Sequence, residues 1–306
     1  MANPQEVVSM QPDELAKAYF GGLVHNHTVL SNYAGHSESD LSVDRFVQSL
    51  VEAGLAGVPD APLEFLMFNE HPSNPTRPHR LGALSLRGQR LLRQRRRPTV
   101  QRVPLLYGLE VSLLPGGRTD LTPRLADHHC QLVIASRHAL PKGQERNPDD
   151  IMALFEAACA NRAVEVLGHP ARYIEDLVSL NWAAVFDQAA RSGTAIEINY
   201  NTFPGEDASN LQQKFWSDWL AALAKSSAQI IIGADIHNQY QLDQFILQWE
   251  SLQRPTGRHE NHLARFVVAL ERAHIPPERV VSARHDTFLS WLHMDKPERS
   301  RLHLIK

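Results

Sequence analysis

Residues 22–28 read Gly22-Leu23-Val24-His25-Asn26-His27-Thr28: a short apolar run that ends at once in a His-x-His pair. The pattern of a brief buried strand followed by a polar, metal-competent residue recurs along the chain. Further short apolar runs lie near Glu64–Phe68, Pro104–Ser112, Gln131–Ser136, Val164–Gly168, Thr194–Asn199 and Gln229–Gly233. Between most of them stand longer stretches with helical periodicity, among them Val43–Ala53, Asp150–Cys159, Trp182–Arg191 and Gln212–Ala224. Strands alternating with helices argue for parallel βαβ units. The regularity of the run, with no Pro/Ser-rich linker, favours one closed α/β barrel over two domains. The expected division is a single domain over 1–306, with a core over about 20–250 and a C-terminal helical extension from about 253 packed outside the barrel.

The bulk properties agree with this and narrow the function. The chain has 306 residues, 43% hydrophobic and 21% charged, with a formal net charge of -3. That balance gives no global reason to expect a nucleic-acid or membrane partner. The first twenty residues lack the basic start and apolar stretch of a signal peptide. No apolar run is long enough to span a bilayer. Two unclustered cysteines, Cys130 and Cys159, suggest a reducing, cytoplasmic setting. The 16 histidines stand out and direct attention to metal sites.

Barrel enzymes carry their reactive groups at the C-terminal ends of strands. In order, the strand ends here deliver His25 and His27, then Asn69-Glu70-His71, Glu110, Arg137-His138, His169, Glu197-Ile198-Asn199, and Asp235 with His237. In a regular strand residues i and i+2 point the same way, so His25 with His27, and Asp235 with His237, can grip one ion together. Glu110 can use both carboxylate oxygens to bridge two ions, an arrangement that lowers the pKa of a shared water and clamps an in-line displacement at phosphorus. Asp127-His128-His129 is also Asp-x-His, but it precedes a strand instead of ending one and is set aside. A single histidine at a strand end carries little; the order and placement of the whole set carry the argument.

The segments VHNHT, FNEH, YGLEVS, IASRH, VLGHP and IGADIH, in this order between His25 and His237, resemble the PHP (polymerase and histidinol phosphatase) superfamily. The resemblance implies a distorted (β/α)7 TIM-like barrel that hydrolyses phosphoesters with two or three divalent ions, commonly zinc, manganese or iron, a metal-bridging hydroxide attacking phosphorus. Carried onto this sequence, His25, His27, Glu110 and Asp235 would hold a first ion, and Glu110, His138 and His169 a second. His71 and His237 would share a third with one more histidine. Its expected place is close to Tyr33, and His36, three residues on, is the choice. The residue before His71 is usually aspartate; Glu70 keeps the acid with one more methylene.

Glu110, His71 and His237 are the candidate catalytic residues, the histidines to place or donate a proton. Arg137, Arg172, Arg77, Arg80 and Asn199, with Asn201 nearby, are candidates for holding the substrate. The segment from Arg77 to Arg102 carries nine arginines and fits a solvated basic face, a rim that attracts anions, or an oligomer contact. The expected substrate is a small-molecule phosphoester, with a nucleic-acid end as the other option. An amidohydrolase-type barrel also opens with His-x-His. It often carries a carboxylated lysine at its fourth strand, where this chain has Arg137-His138. A degenerate, non-catalytic PHP module would have lost ligands, whereas the set here is nearly complete.

Overall fold

The computed structural model describes residues 10–31, 39–71, 103–120, 131–138, 147–172, 180–253 and 261–301. Tyr33, His36, Arg77, Arg80, the whole arginine-rich segment 77–102 and Asp127-His128-His129 lie outside the described residues.

Seven parallel strands close on themselves: β1 (Gly22–Asn26), β2 (Phe65–Glu70), β3 (Leu105–Leu114), β5 (Val133–Ser136), β6 (Val166–Gly168), β7 (Ala195–Asn199) and β8 (Ile230–Ile236). Their order is β2-β1-β8-β7-β6-β5-β3, and a parallel pairing of β2 with β3 completes the ring. The two-residue β4 (Arg118–Thr119) adds an antiparallel partner to the far end of β3. The expected distorted (β/α)7 barrel is present. Several strands run further than the sequence indicated, so that Asn26, Glu70 and Asp235 lie within strands.

Strand side chains alternate between two environments, as the two-residue period requires. One set, including Leu66, Leu109, Ala135, Ile196 and Ile232, faces the surrounding helices in the large core. The other set points inward and changes character along the barrel axis. At the floor it is apolar: Phe65, Leu106, Leu132, Val166, Ala195 and Ile231. Two to four residues further along the same strands it becomes Asn69, Glu110, Ser136, Glu197 and Asp235, all buried. A water-poor interior therefore leads upward into a packed polar layer.

The helices form for local reasons. In α2 (Val43–Glu52), Ser42 caps by accepting from the Arg45 N–H, and Val43, Phe46, Val47 and Leu50 supply a buried stripe. Before α3 (Pro148–Ala160) stands Asn147 as cap, with proline in the first turn. Helix α4 (Trp182–Ser192) ends on Gly193 in the left-handed conformation, φ 67°. A reciprocal Ser209–Gln212 capping box opens α5 (Asn210–Lys225), which is followed by α6 (Gln239–Gln253).

The C-terminal helices lie outside the ring of strands. Helix α7 (His262–Arg272) packs on α1 (Pro12–Tyr19), while α8 (His285–His293) closes the floor. There Phe288 stacks on Phe65 at 5.0 Å between ring centroids, and Trp291 joins the same cluster. In α9 (Lys296–Arg301), Arg299 spreads its guanidinium over Trp291 at 3.9 Å and reaches Glu165. No helix among the described residues is long and apolar enough to cross a membrane.

Candidate metal centre

Glu110, near the middle of β3, is the hub. Its Oε2 lies 3.3 Å from His25 Nε2, 3.4 Å from His27 Nε2 and 3.2 Å from His71 Nε2. Its Oε1 lies 2.8 Å from His169 Nε2 and 3.3 Å from His138 Nε2. On the other side, Asp235 Oδ1 is 2.9 Å from His237 Nε2, 3.3 Å from His27 Nε2 and 3.8 Å from His25 Nε2. Of the nine residues that the sequence nominates as ligands, eight converge at the C-terminal mouth of the barrel, and the ninth, His36, is outside the described residues.

Three of these residues stand in left-handed backbone: His25 at φ 60°, Asp235 at 55° and His169 at 25°. The β1 register shifts against both β2 and β8 in the same place. The His-x-His and Asp-x-His pairs are thus not presented by a regular pleat, as the i, i+2 reading assumed. A bulge at the barrel rim re-aims them, and holding non-glycine residues there costs about 1–3 kcal/mol each.

Outer partners fix which nitrogen of each ring faces the centre. His25 Nδ1 is 2.6 Å from Glu197 Oε1, His27 Nδ1 is 3.1 Å from Ser31 Oγ, and His138 Nδ1 is 3.2 Å from Ser112 Oγ. The Ser31 hydroxyl donates to Glu70 Oε2 and accepts from the His71 N–H at 3.2 Å. Glu70 also accepts from the Thr28 N–H and hydroxyl. It thereby ties the loop after β1 to the end of β2, without touching the central cluster itself. Sequence reading gave no role to Ser31 or Glu197; their only signal was a polar residue close to, or at, a strand end.

This donor set fits divalent ions. With Nδ1–H given to Glu197 and to Ser31, the Nε2 atoms of His25 and His27 present lone pairs, and neither has a hydrogen-bond partner although both are wholly buried. A lone pair facing a carboxylate oxygen calls for a cation between them. Two ligands each about 2.0–2.2 Å from a shared ion sit roughly 2.9–3.5 Å apart, and most of the distances around Glu110 and Asp235, which run from 2.8 to 3.8 Å, fall in that range. Three groups have donor atoms mutually within 4.8 Å: His25, His27 and Glu110; His27, Asp235 and His237; and His71, Glu110 and His138.

The electrostatics describe the same strongly coupled cluster. Burial pulls the His25 imidazolium down, but Glu197, Glu110 and Asp235 outweigh it and hold its pKa well above the ordinary value. For His27, burial is likewise overcome, by the facing carboxylates of Asp235 and Glu110, and the pKa is raised to about 9. Burial dominates at His71 and holds it well below. At Glu110 and Asp235 the surrounding histidines, His25 foremost, overcome burial and keep both carboxyls well below their usual range.

The candidate substrate residues occupy different settings. Arg137 is buried directly after β5. Arg172 stands at the mouth, its side chain 40% exposed, with Nη1 3.9 Å from Asp235 Oδ2. Asn199 accepts from the Thr202 N–H and donates to Glu197 Oε1 at 3.3 Å, and Asn201 donates to the Asp235 carbonyl at 2.9 Å.

No family model matches the chain. Among curated proteins it is similar to one from Syntrophotalea carbinolica described as a probable phosphatase. The two are 25% identical over 201 residues, 63% of this chain and 70% of the relative. Among solved structures it is similar to histidinol phosphate phosphatase from Lactococcus lactis, complexed with zinc, L-histidinol and phosphate. That likeness has 17% identity and a TM-score of 0.45, covering 79% of this chain and 97% of the other. What marks this chain is the central glutamate met by five imidazoles from β1, β2, β5 and β6 or the residues that follow them.

Proposed function

We propose that this chain is a metal-dependent phosphatase of the PHP superfamily that hydrolyses a small-molecule phosphoester. The observation that carries the reading is Glu110, whose two oxygens are each shared between imidazoles at the spacing of ligands on a common ion. The similarity to a probable phosphatase points the same way.

In this reading His25, His27, Glu110 and Asp235 hold one ion, and Glu110, His138 and His169 a second. A third falls to His71 and His237, with His36 as the remaining ligand. Histidine and carboxylate donors suit zinc, manganese or iron. Divalent ions at these positions supply Lewis acidity, which activates water and neutralises charge on phosphoryl oxygens. The chain's own residues do the rest. Arg172 and Arg137 orient the phosphoryl group through charge-assisted hydrogen bonds. His237, a quarter exposed beside Asp235, is placed to hand a proton to the leaving alkoxide. The buried floor and polar layer keep bulk water beneath the site away. A free, buried Cys159 suits a reducing, cytoplasmic compartment.

The test is hydrolysis of p-nitrophenyl phosphate, and of the corresponding bis-ester, by chelator-treated protein given back zinc, manganese or ferrous iron. Monoester activity that returns with metal and falls at least about 100-fold in Glu110→Gln supports the reading. A metal-loaded chain inert toward a broad panel of phosphomonoesters sinks it. Preference for the bis-ester would move it to a phosphodiesterase.

A further inference from the structure

Glu197 is buried in the polar layer beneath the ligand cluster, on the inward face of β7. Its Oε1 lies 2.6 Å from His25 Nδ1, and its Oε2 accepts from the His169 backbone N–H at 2.5 Å. His25 and His169 are ligands of different ions in the proposed reading. Their rings are nearly parallel, 15° apart in plane and 5.7 Å between centroids. Above them the Nε2 atoms meet opposite oxygens of Glu110 at 3.3 and 2.8 Å. Two carboxylates and two imidazoles therefore form a closed circuit linking β7, β1, β3 and β6.

The barrel makes room for this carboxylate. A Cβ at Gly233 would sit 1.6 Å from Glu197 Oε1. Both histidines also occupy left-handed backbone, which persists only where surroundings enforce it. At His169 the enforcing contact is the amide held by Glu197; without it that N–H would be buried with no acceptor.

We propose that Glu197 is a positioning residue that couples the two ion positions, holding the ring of one site's ligand with one oxygen and the backbone of the other's with the second. Its loss should therefore weaken both ions together, whereas loss of a ligand peculiar to one site weakens that ion first. This assignment rests on the ion positions proposed above.

The test is calorimetric titration of Zn²⁺ alone into chelator-treated full-length protein, comparing wild type, Glu197→Gln, His138→Ala and Gly233→Ala. Glutamine matches the shape but turns an N–H₂ toward either the His25 Nδ1–H or the His169 N–H. Outer partners of metal ligands are typically worth about 10–100-fold in affinity, so Glu197→Gln should weaken the two tightest sites by that factor together. His138→Ala should weaken mainly one. Gly233→Ala, which displaces Glu197 while keeping its charge, should reproduce the joint loss, and it carries the test if Glu197→Gln does not fold. Nitrogen-15 spectra of the histidines give a second readout: the Nδ1–H signal of His25 should move in Glu197→Gln. Wild type that binds zinc while Glu197→Gln binds it equally well, or loses one site only, overturns this proposal and leaves the metal-centre reading standing. Wild type that binds neither zinc nor, in the same titration, manganese or ferrous iron overturns both.

Discussion

Replacing Ser31 by alanine removes a single oxygen, and the structure says where the cost falls. The hydroxyl is buried, 1% exposed, and serves three groups: it accepts from His27 Nδ1 and the His71 N–H and donates to Glu70. Glu70 keeps the Thr28 N–H and hydroxyl as donors, so its carboxylate remains served. His27 Nδ1 loses its acceptor. A buried donor left unpaired costs about 1–3 kcal/mol, so the metal-free protein should lose about 1–3 kcal/mol of stability. The assay is urea denaturation in chelator, followed at equilibrium. The same variant frees the His27 ring to take its other tautomer, and zinc affinity should fall about 10–100-fold. A loss below about 1 kcal/mol with unchanged zinc affinity would refute the view that Ser31 fixes the His27 ring.

Three more outcomes are expected. Phe288→Ala opens the floor beneath Phe65 and should cost about 3–5 kcal/mol in the same denaturation assay; wild-type stability would show that α8 is not needed to close the barrel. Burial holds the Lys296 amine down at about 8, below its unfolded value. The unfolded chain therefore binds more protons between about pH 8 and 10.5, and stability from this residue rises with pH across that window. Lys296→Met should flatten that rise in stability measured against pH, and an unaltered slope would count against it. Arg172→Ala should raise KM for a phosphomonoester about tenfold, with a smaller effect on kcat; steady-state kinetics showing kcat alone reduced would assign Arg172 to the chemical step.

The barrel was legible in the sequence because each strand is a short buried run and helices α2 to α5 carry their own buried residues and caps. The candidate ligand residues were legible for the same local reason: a histidine or carboxylate at the end of an apolar run needs no distant partner to be noticed. Their order along the chain is also their order around the mouth, since each βα unit advances the ring by one step. Three things depended on tertiary structure. The left-handed backbone at His25, His169 and Asp235 arises from strand register against neighbours, not from the residues themselves, which disfavour it. The glycine at 233 looks like an ordinary strand glycine until the Glu197 side chain is seen in the space it leaves. Ser31 and Glu197 acquire their roles from partners 40 and 172 residues away in the chain. A polar residue in a strand is silent about such a partner, because burial and a hydrogen bond at long sequence separation exist only once the barrel has closed.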